Sequence, residues 1–155
     1  MKIAAGLALA ALLASGLAYT SLMTGPGSGC TPAEEDLVPV LRSQKVLAVH
    51  PDGALPRNDH SGCFPDDPFP YAGTFYEFAG PREQYTTFYG RAVRADGWRP
   101  IVTAQLSEDV CYTKKIGDAV AFLSVTEHSV EGVRGYGIDI SASRGDVPAD
   151  GGLMC

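Results

Sequence analysis

Gly80-Pro81-Arg82-Glu83-Gln84-Tyr85-Thr86-Thr87-Phe88-Tyr89-Gly90-Arg91-Ala92-Val93-Arg94-Ala95-Asp96-Gly97-Trp98 is the stretch on which the fold class turns. Pro81 suits the first position of a helix, where its missing N–H leaves nothing unpaired, with Gly80 as the N-cap. Glu83 then falls in the first turn, at the positive end of the helix dipole. Tyr85, Phe88, Tyr89, Ala92 and Val93 recur at helical spacing, and Glu83, Thr87, Arg91 and Arg94 occupy the opposite face. Gly97 follows the last periodic residue and suits the left-handed position that ends a helix. An amphipathic helix has to bury its stripe, so the aromatic residues read as core and not as a ligand shelf.

Working outward, the flanks read as strands. Thr74–Phe78 leads in. Trp98–Leu106, Cys111–Lys115, Val120–Thr126 and Tyr136–Ser141 follow, with a hairpin turn at Gly117-Asp118 and a loop over 127–135. Short connections make the later strands an antiparallel meander. The expected fold is α+β: a two-layer sandwich of four to five antiparallel strands packed on one main helix. Ser124, Thr126, Asp139 and Ser141 make the other face of the sheet partly polar.

Upstream, residues 34–48 read as a short helix, beginning either at Pro32 after Thr31 or at Pro39. His50-Pro51-Asp52-Gly53 is a turn. Residues 54–70 hold Pro56, Asn58, Asp59, Ser61, Gly62, Pro65, Asp66, Asp67, Pro68 and Pro70, which predicts a long loop with at most a short edge strand. The chain divides into an apolar segment 1–23, a Gly/Pro/Ser linker 24–33, a folded domain 34–141 and a flexible tail 142–155.

The apolar segment sets the expected compartment. Lys2 is followed by no charged residue until Glu34. The run is long enough to span a bilayer, and the flanking charges place the body outside. A signal anchor, a cleaved signal peptide and a lipoprotein signal all export the body. Gly27-Ser28-Gly29-Cys30 is similar to a lipobox ending in a lipid-modified cysteine, although Gly27 stands where a Leu-like residue belongs. Eighteen acidic against twelve basic residues give a net charge of −6, which argues against nucleic acid as a partner. The expected partners are the membrane, through residues 1–23, and a protein or envelope ligand.

Export puts Cys30, Cys63, Cys111 and Cys155 in an oxidising compartment. Cys63 and Cys111 both lie inside the folded region and are expected to pair, closing a loop worth about 4 kcal/mol on the chain-entropy model. Cys30 and Cys155 then either pair with each other or leave Cys30 to carry lipid.

Tyr76-x-Phe78, Phe88-Tyr89, Gly97-Trp98, Cys111-Tyr112-x-Lys114 and Val120-x-Phe122-Leu123-x-Val125 together resemble small exported or membrane-anchored, lipoprotein-like proteins of actinobacterial type. The resemblance spans residues 36–141. It implies an exported location and a Cys63–Cys111 bond, and it carries over no catalytic residue.

Few residues offer chemistry. His50 and His60, with Asp66 and Asp67, form the one imaginable metal set, since imidazole and carboxylate suit zinc or manganese. No metalloprotease spacing, phosphate loop or nucleophile elbow is present, and no cofactor is implied. The expected function is a non-catalytic, membrane-tethered extracytoplasmic binding domain. The alternative is a metal-binding protein or metal-dependent hydrolase built on residues 50–67.

Overall fold

The computed structural model describes residues 29–64, 69–101 and 110–145. In chain order these form α1 (Pro32–Glu35), α2 (Leu37–Arg42), a 3-10 turn (Lys45–Leu47), β1 (Leu55–Cys63), β2 (Pro70–Glu77), α3 (Arg82–Ala95), β3 (Arg99–Pro100), β4 (Val110–Ile116), β5 (Ala119–Val130) and β6 (Val133–Ser143). The fold is α+β and dominated by one antiparallel sheet of six strands, in the order β1-β2-β6-β5-β4-β3. Among the described residues no helix is long and apolar enough to cross a membrane. The expected anchor, residues 1–23, lies outside them.

The amphipathic stretch forms α3. Pro81 is extended, at φ −71° and ψ 152°, and acts as the N-cap, so the helix starts one residue later than its first-position preference suggests. Gly97 has φ 84°. The Trp98 N–H donates to Val93 O at 2.9 Å and the Gly97 N–H to Arg94 O at 3.2 Å, the paired closing bonds of a Schellman motif. Only glycine reaches that φ without a steric penalty, which is why the helix ends there. Asp96 caps this corner from its side chain, taking hydrogen bonds from Trp98 Nε1 at 3.2 Å and from Lys114 Nζ at 3.1 Å.

Tyr85, Tyr89 and Val93, one every four residues, are the buried side of α3. They close over Tyr136 of β6, which is fully buried. Tyr85 stacks on Tyr136 with ring centroids 4.4 Å apart, and Tyr76 of β2 stacks on it at 5.5 Å. Tyr89 and Phe78 meet the same ring edge-on, at 5.7 and 5.8 Å. Offset and edge-on contacts suit the quadrupoles of aromatic rings. The hydroxyls reach outward to tie down the N-terminal segment: Tyr76 Oη donates to Leu47 O at 2.6 Å and Tyr89 Oη to Val49 O at 2.8 Å. Leu37 and Leu41 of α2, with Val46 and Leu47, complete this core.

The meander β3-β4-β5-β6 forms as expected, and two pairings go beyond the expectation. β6 returns beside β2, with Tyr136 opposite Tyr76 and Ile140 opposite Ala72. The predicted loop over 127–135 is instead a two-residue turn. Glu131 and Gly132 have φ 51° and 82°, the conformation of a tight hairpin, and β5 and β6 pair up to Val130 and Val133. Most of the predicted 54–70 loop is β1. It is an edge strand, where an outward N–H needs no ladder partner, so Pro56 and its neighbours are tolerated; a register shift falls between Pro56 and Asn58. Of the predicted strand Trp98–Leu106 the described part is β3, and residues 102–109 lie outside the described set. Ala142 and Ser143, expected in the tail, belong to β6, and residues 146–155 lie outside the described set.

The N-terminal helix is split. Thr31 and Glu34 form a capping box on α1. Pro39 has no N–H to give Glu35, so α1 stops and α2 begins at Leu37.

The cysteine pairing corrects the expected one. Cys63 bonds Cys30, with Cα atoms 6.0 Å apart, and not Cys111. The register explains this: Cys63 ends β1 at one edge of the sheet, whereas Cys111 sits in β4, three strands beyond β2. The bond excludes the expected alternatives for Cys30, since its sulfur can carry neither lipid nor Cys155. It joins residues 33 apart in sequence, which the chain-entropy model values at about 4 kcal/mol.

The tyrosine core has a pH signature. Burial, and less so the charges of Tyr76 and Tyr85, push the Tyr136 phenol up to about 12 from its ordinary 10.0, although the Tyr89 hydrogen bond acts the other way. Burial and the Tyr136 contact raise Tyr89 as well. The folded protein thus holds these protons more tightly than the unfolded chain. The stabilisation is fully present below pH 10 and is lost as pH rises toward 12. Alkaline titration should show the phenolate absorbance of these tyrosines appearing together with loss of circular dichroism. Their ionisation near pH 10 with the dichroism intact would contradict the burial.

Candidate functional site

The ladder places a row of side chains across the sheet. His60 lies opposite Gly73, Gly73 opposite Asp139, Asp139 opposite Ser124, and Ser124 opposite Cys111. Alternation puts Tyr112, Leu123, Ile140 and Ala72 on the α3 side, so this row projects from the other face. His60 Nε2 and Asp139 Oδ1 meet at 2.7 Å over the top of β2. Gly73 makes the contact possible: a Cβ there would stand 2.1 Å from Asp139 Oδ1 and 2.5 Å from His60 Nε2. Gly137 plays the same part beside it, leaving room for the His128 ring, which lies 5.0 Å from Phe75.

Two cavities adjoin this pair. One, of about 630 Å3, lies where β1 and β2 face the segment from Arg42 to His50, and Asp59, His60 and Tyr76 also line it. Asp59 accepts from Thr74 Oγ1 at 2.9 Å. Burial raises the Tyr76 phenol, and the Asp59 carboxylate adds to that shift. The other, of about 390 Å3, is bounded by Phe64, Phe69, Tyr71, Ser124, Asp139 and Ser141. Phe64 and Tyr71 lie with ring centroids 4.4 Å apart, and the Phe64 N–H donates to Phe69 O at 3.2 Å. Both volumes suit a small ligand.

Of the predicted metal set, His50 and His60 lie among the described residues. His50 and His60 do line the same cavity. His50, however, has Nδ1 3.2 Å from Pro51 O and its ring 5.3 Å from Tyr76, while His60 is engaged by Asp139. Asp66 and Asp67 lie outside the described residues. Among the described residues no three His, Cys, Asp or Glu side chains stand close enough to hold an ion. The partner that sequence reasoning missed is Asp139, 79 residues from His60. Its one local signal was a glycine opposite it in a strand, a mark of close side-chain approach.

The His60–Asp139 pair fixes an imidazole on this face of the sheet. His60 and Ser61 project from opposite faces, so they cannot act as base and nucleophile. The arrangement offers hydrogen bonds and charge to a ligand. No protein-family model matches the chain, and no curated protein or solved structure matches it either.

Gly73→Ala should break the His60–Asp139 contact. At this exposure that costs about 0.5–1 kcal/mol. In a His60→Ala background the same change should cost nothing or stabilise the strand. Urea unfolding of the four proteins measures this, and an equal cost in both backgrounds would contradict the close-approach role of Gly73.

Proposed function

We propose that the protein is a non-catalytic extracytoplasmic binding domain, tethered through residues 1–23, which holds a small ligand between β1–β2 and the Arg42–His50 segment. The observation that carries the reading is the cleft of about 630 Å3 with the Arg42 guanidinium, the Asp59 carboxylate and the His50 imidazole along its walls. Its walls are braced. Tyr76 and Tyr89 hold the 47–49 carbonyls, and the Cys30–Cys63 bond fixes the end of β1. A braced cleft loses little entropy on binding.

Export is supported by the uncharged N-terminal run, by disulfides at Cys30, Cys63 and Cys111, and by the resemblance to small exported actinobacterial proteins. Arg42 and Asp59 suit a ligand that carries both charges, such as a dipeptide with both termini free. The charge of Arg42 would meet a carboxylate and that of Asp59 an ammonium.

Calorimetric titration with alanyl-alanine, against its acetylated and amidated counterpart, tests this. The free dipeptide should bind and the blocked one should not. Arg42→Ala should weaken binding about tenfold, the usual worth of a charge-assisted hydrogen bond. Equal binding of both probes, or none of either, would refute the charge-pair reading.

A further inference from the structure

We infer that the smaller cavity, of about 390 Å3, is a second binding site, and that it takes a small quaternary ammonium ion between aromatic rings and the Asp139 carboxylate. The inference does not rest on the dipeptide reading, which concerns the cleft on the other side of β1.

The register builds the site from two neighbouring rows on the face away from α3. Gly62, Tyr71 and Ser141 form one row, and His60, Gly73, Asp139 and Ser124 the next. Such rows are about 7 Å apart along a strand. An aromatic side chain reaches that far across the diagonal, so the Tyr71 ring and the Asp139 carboxylate border one space. The ring leans toward β1, with its hydroxyl 3.2 Å from where a Cβ on Gly62 would stand. Phe64 packs against it at 4.4 Å and is itself 49% exposed, so it has ring surface left for a ligand. Phe69, held to Phe64 through the backbone, adds a third ring to the wall. The His60 ring stands 6.2 Å from Tyr71.

The carboxylate is placed to give charge and not hydrogen bonds. Its Oδ1 is taken by His60 Nε2, and its Oδ2 is turned toward Gly137, 2.9 Å from where a Cβ there would stand. A quaternary ammonium ion fits these walls. Its charge is spread over methyl groups that donate no conventional hydrogen bond, so it is recognised by ring faces and by an anion a few ångströms away. None of the described residues that line the cavity is Lys or Arg. The net charge of −6 adds a long-range attraction for cations. A saccharide fits less well, because each hydroxyl it buries needs a partner, and the wall offers little beyond the Ser124 and Ser141 side chains.

NMR titration of the full chain with choline, against the neutral analogue in which carbon replaces its nitrogen, tests the site. The two probes share a shape and differ in charge. Choline should bind, its N-methyl signal should move upfield under the rings, and Overhauser contacts should appear to Phe64 and Tyr71. The neutral analogue should bind about tenfold more weakly. Asp139→Asn removes the charge, and Phe64→Leu removes a ring face while keeping apolar bulk. Each should weaken choline binding several-fold. If Asp139→Asn fails to fold, Phe64→Leu, at a half-exposed position, decides. Equal affinity for both probes, no binding of choline, or unchanged affinity in Phe64→Leu would overturn the site. Contacts to His50 in place of Phe64 would put the cation in the larger cleft, and binding of a methyl glucoside but not of choline would make this a saccharide site; either result overturns the inference. The alanyl-alanine titration reads the larger cleft, so the two proposals fail separately.

Discussion

Tyr136 is the constraint on which the rest of the structure depends. Four aromatic rings meet this one buried side chain: Tyr76 and Phe78 from the β2 end, Tyr85 and Tyr89 from α3. Three of its neighbours are tyrosines, so the core has polar edges that need partners. Those partners are backbone carbonyls at Leu47 and Val49, and satisfying them brings the N-terminal segment against the sheet. One packing solution thereby fixes the helix on its sheet, places β6 beside β2, and builds one wall of the larger cleft. A buried phenol without such an acceptor costs about 1–3 kcal/mol, comparable to much of a domain's net stability.

The β1 edge is stabilised by different means. Its residues are mostly exposed, and its composition is that of a loop. Pairing with β2, the Cys30–Cys63 bond and the His60–Asp139 contact over Gly73 hold it in place. The cleft and the smaller cavity lie on either side of this strand, so the least core-like element is also the one that shapes both. On the far face of the sheet, Cys111 is disulfide-bonded and Phe122 is buried.

Local rules made much of this legible. Period and end signals located α3, because Gly97 and the Tyr85–Val93 stripe agree with each other. The Gly117-Asp118 turn and the alternation after it located β5 and β6. What local rules could not supply was pairing. Nothing near Cys63 indicates that β1 runs at an edge beside Cys30, and nothing near Asp139 points to His60. Propensity also misled at two places. Glu131-Gly132 carries a hairpin turn although Glu is a poor choice for positive φ, and β1 is a strand although it holds Pro56, Asn58, Asp59 and Gly62. In each case the pairing of neighbouring strands outweighed the preference of single residues. The candidate site was half visible for the same reason: His50 and His60 could be named from the sequence, but Asp59, Arg42 and Asp139 gain their meaning from the register.

A double-mutant cycle on Tyr85→Leu and Tyr136→Leu tests the central claim that the helix is locked to the sheet through this ring. Denaturant unfolding of the four proteins should give a coupling of about 0.5–1.5 kcal/mol, the range for stacked aromatic pairs. Additivity to within about 0.3 kcal/mol would show that the two rings act independently, and would contradict the account.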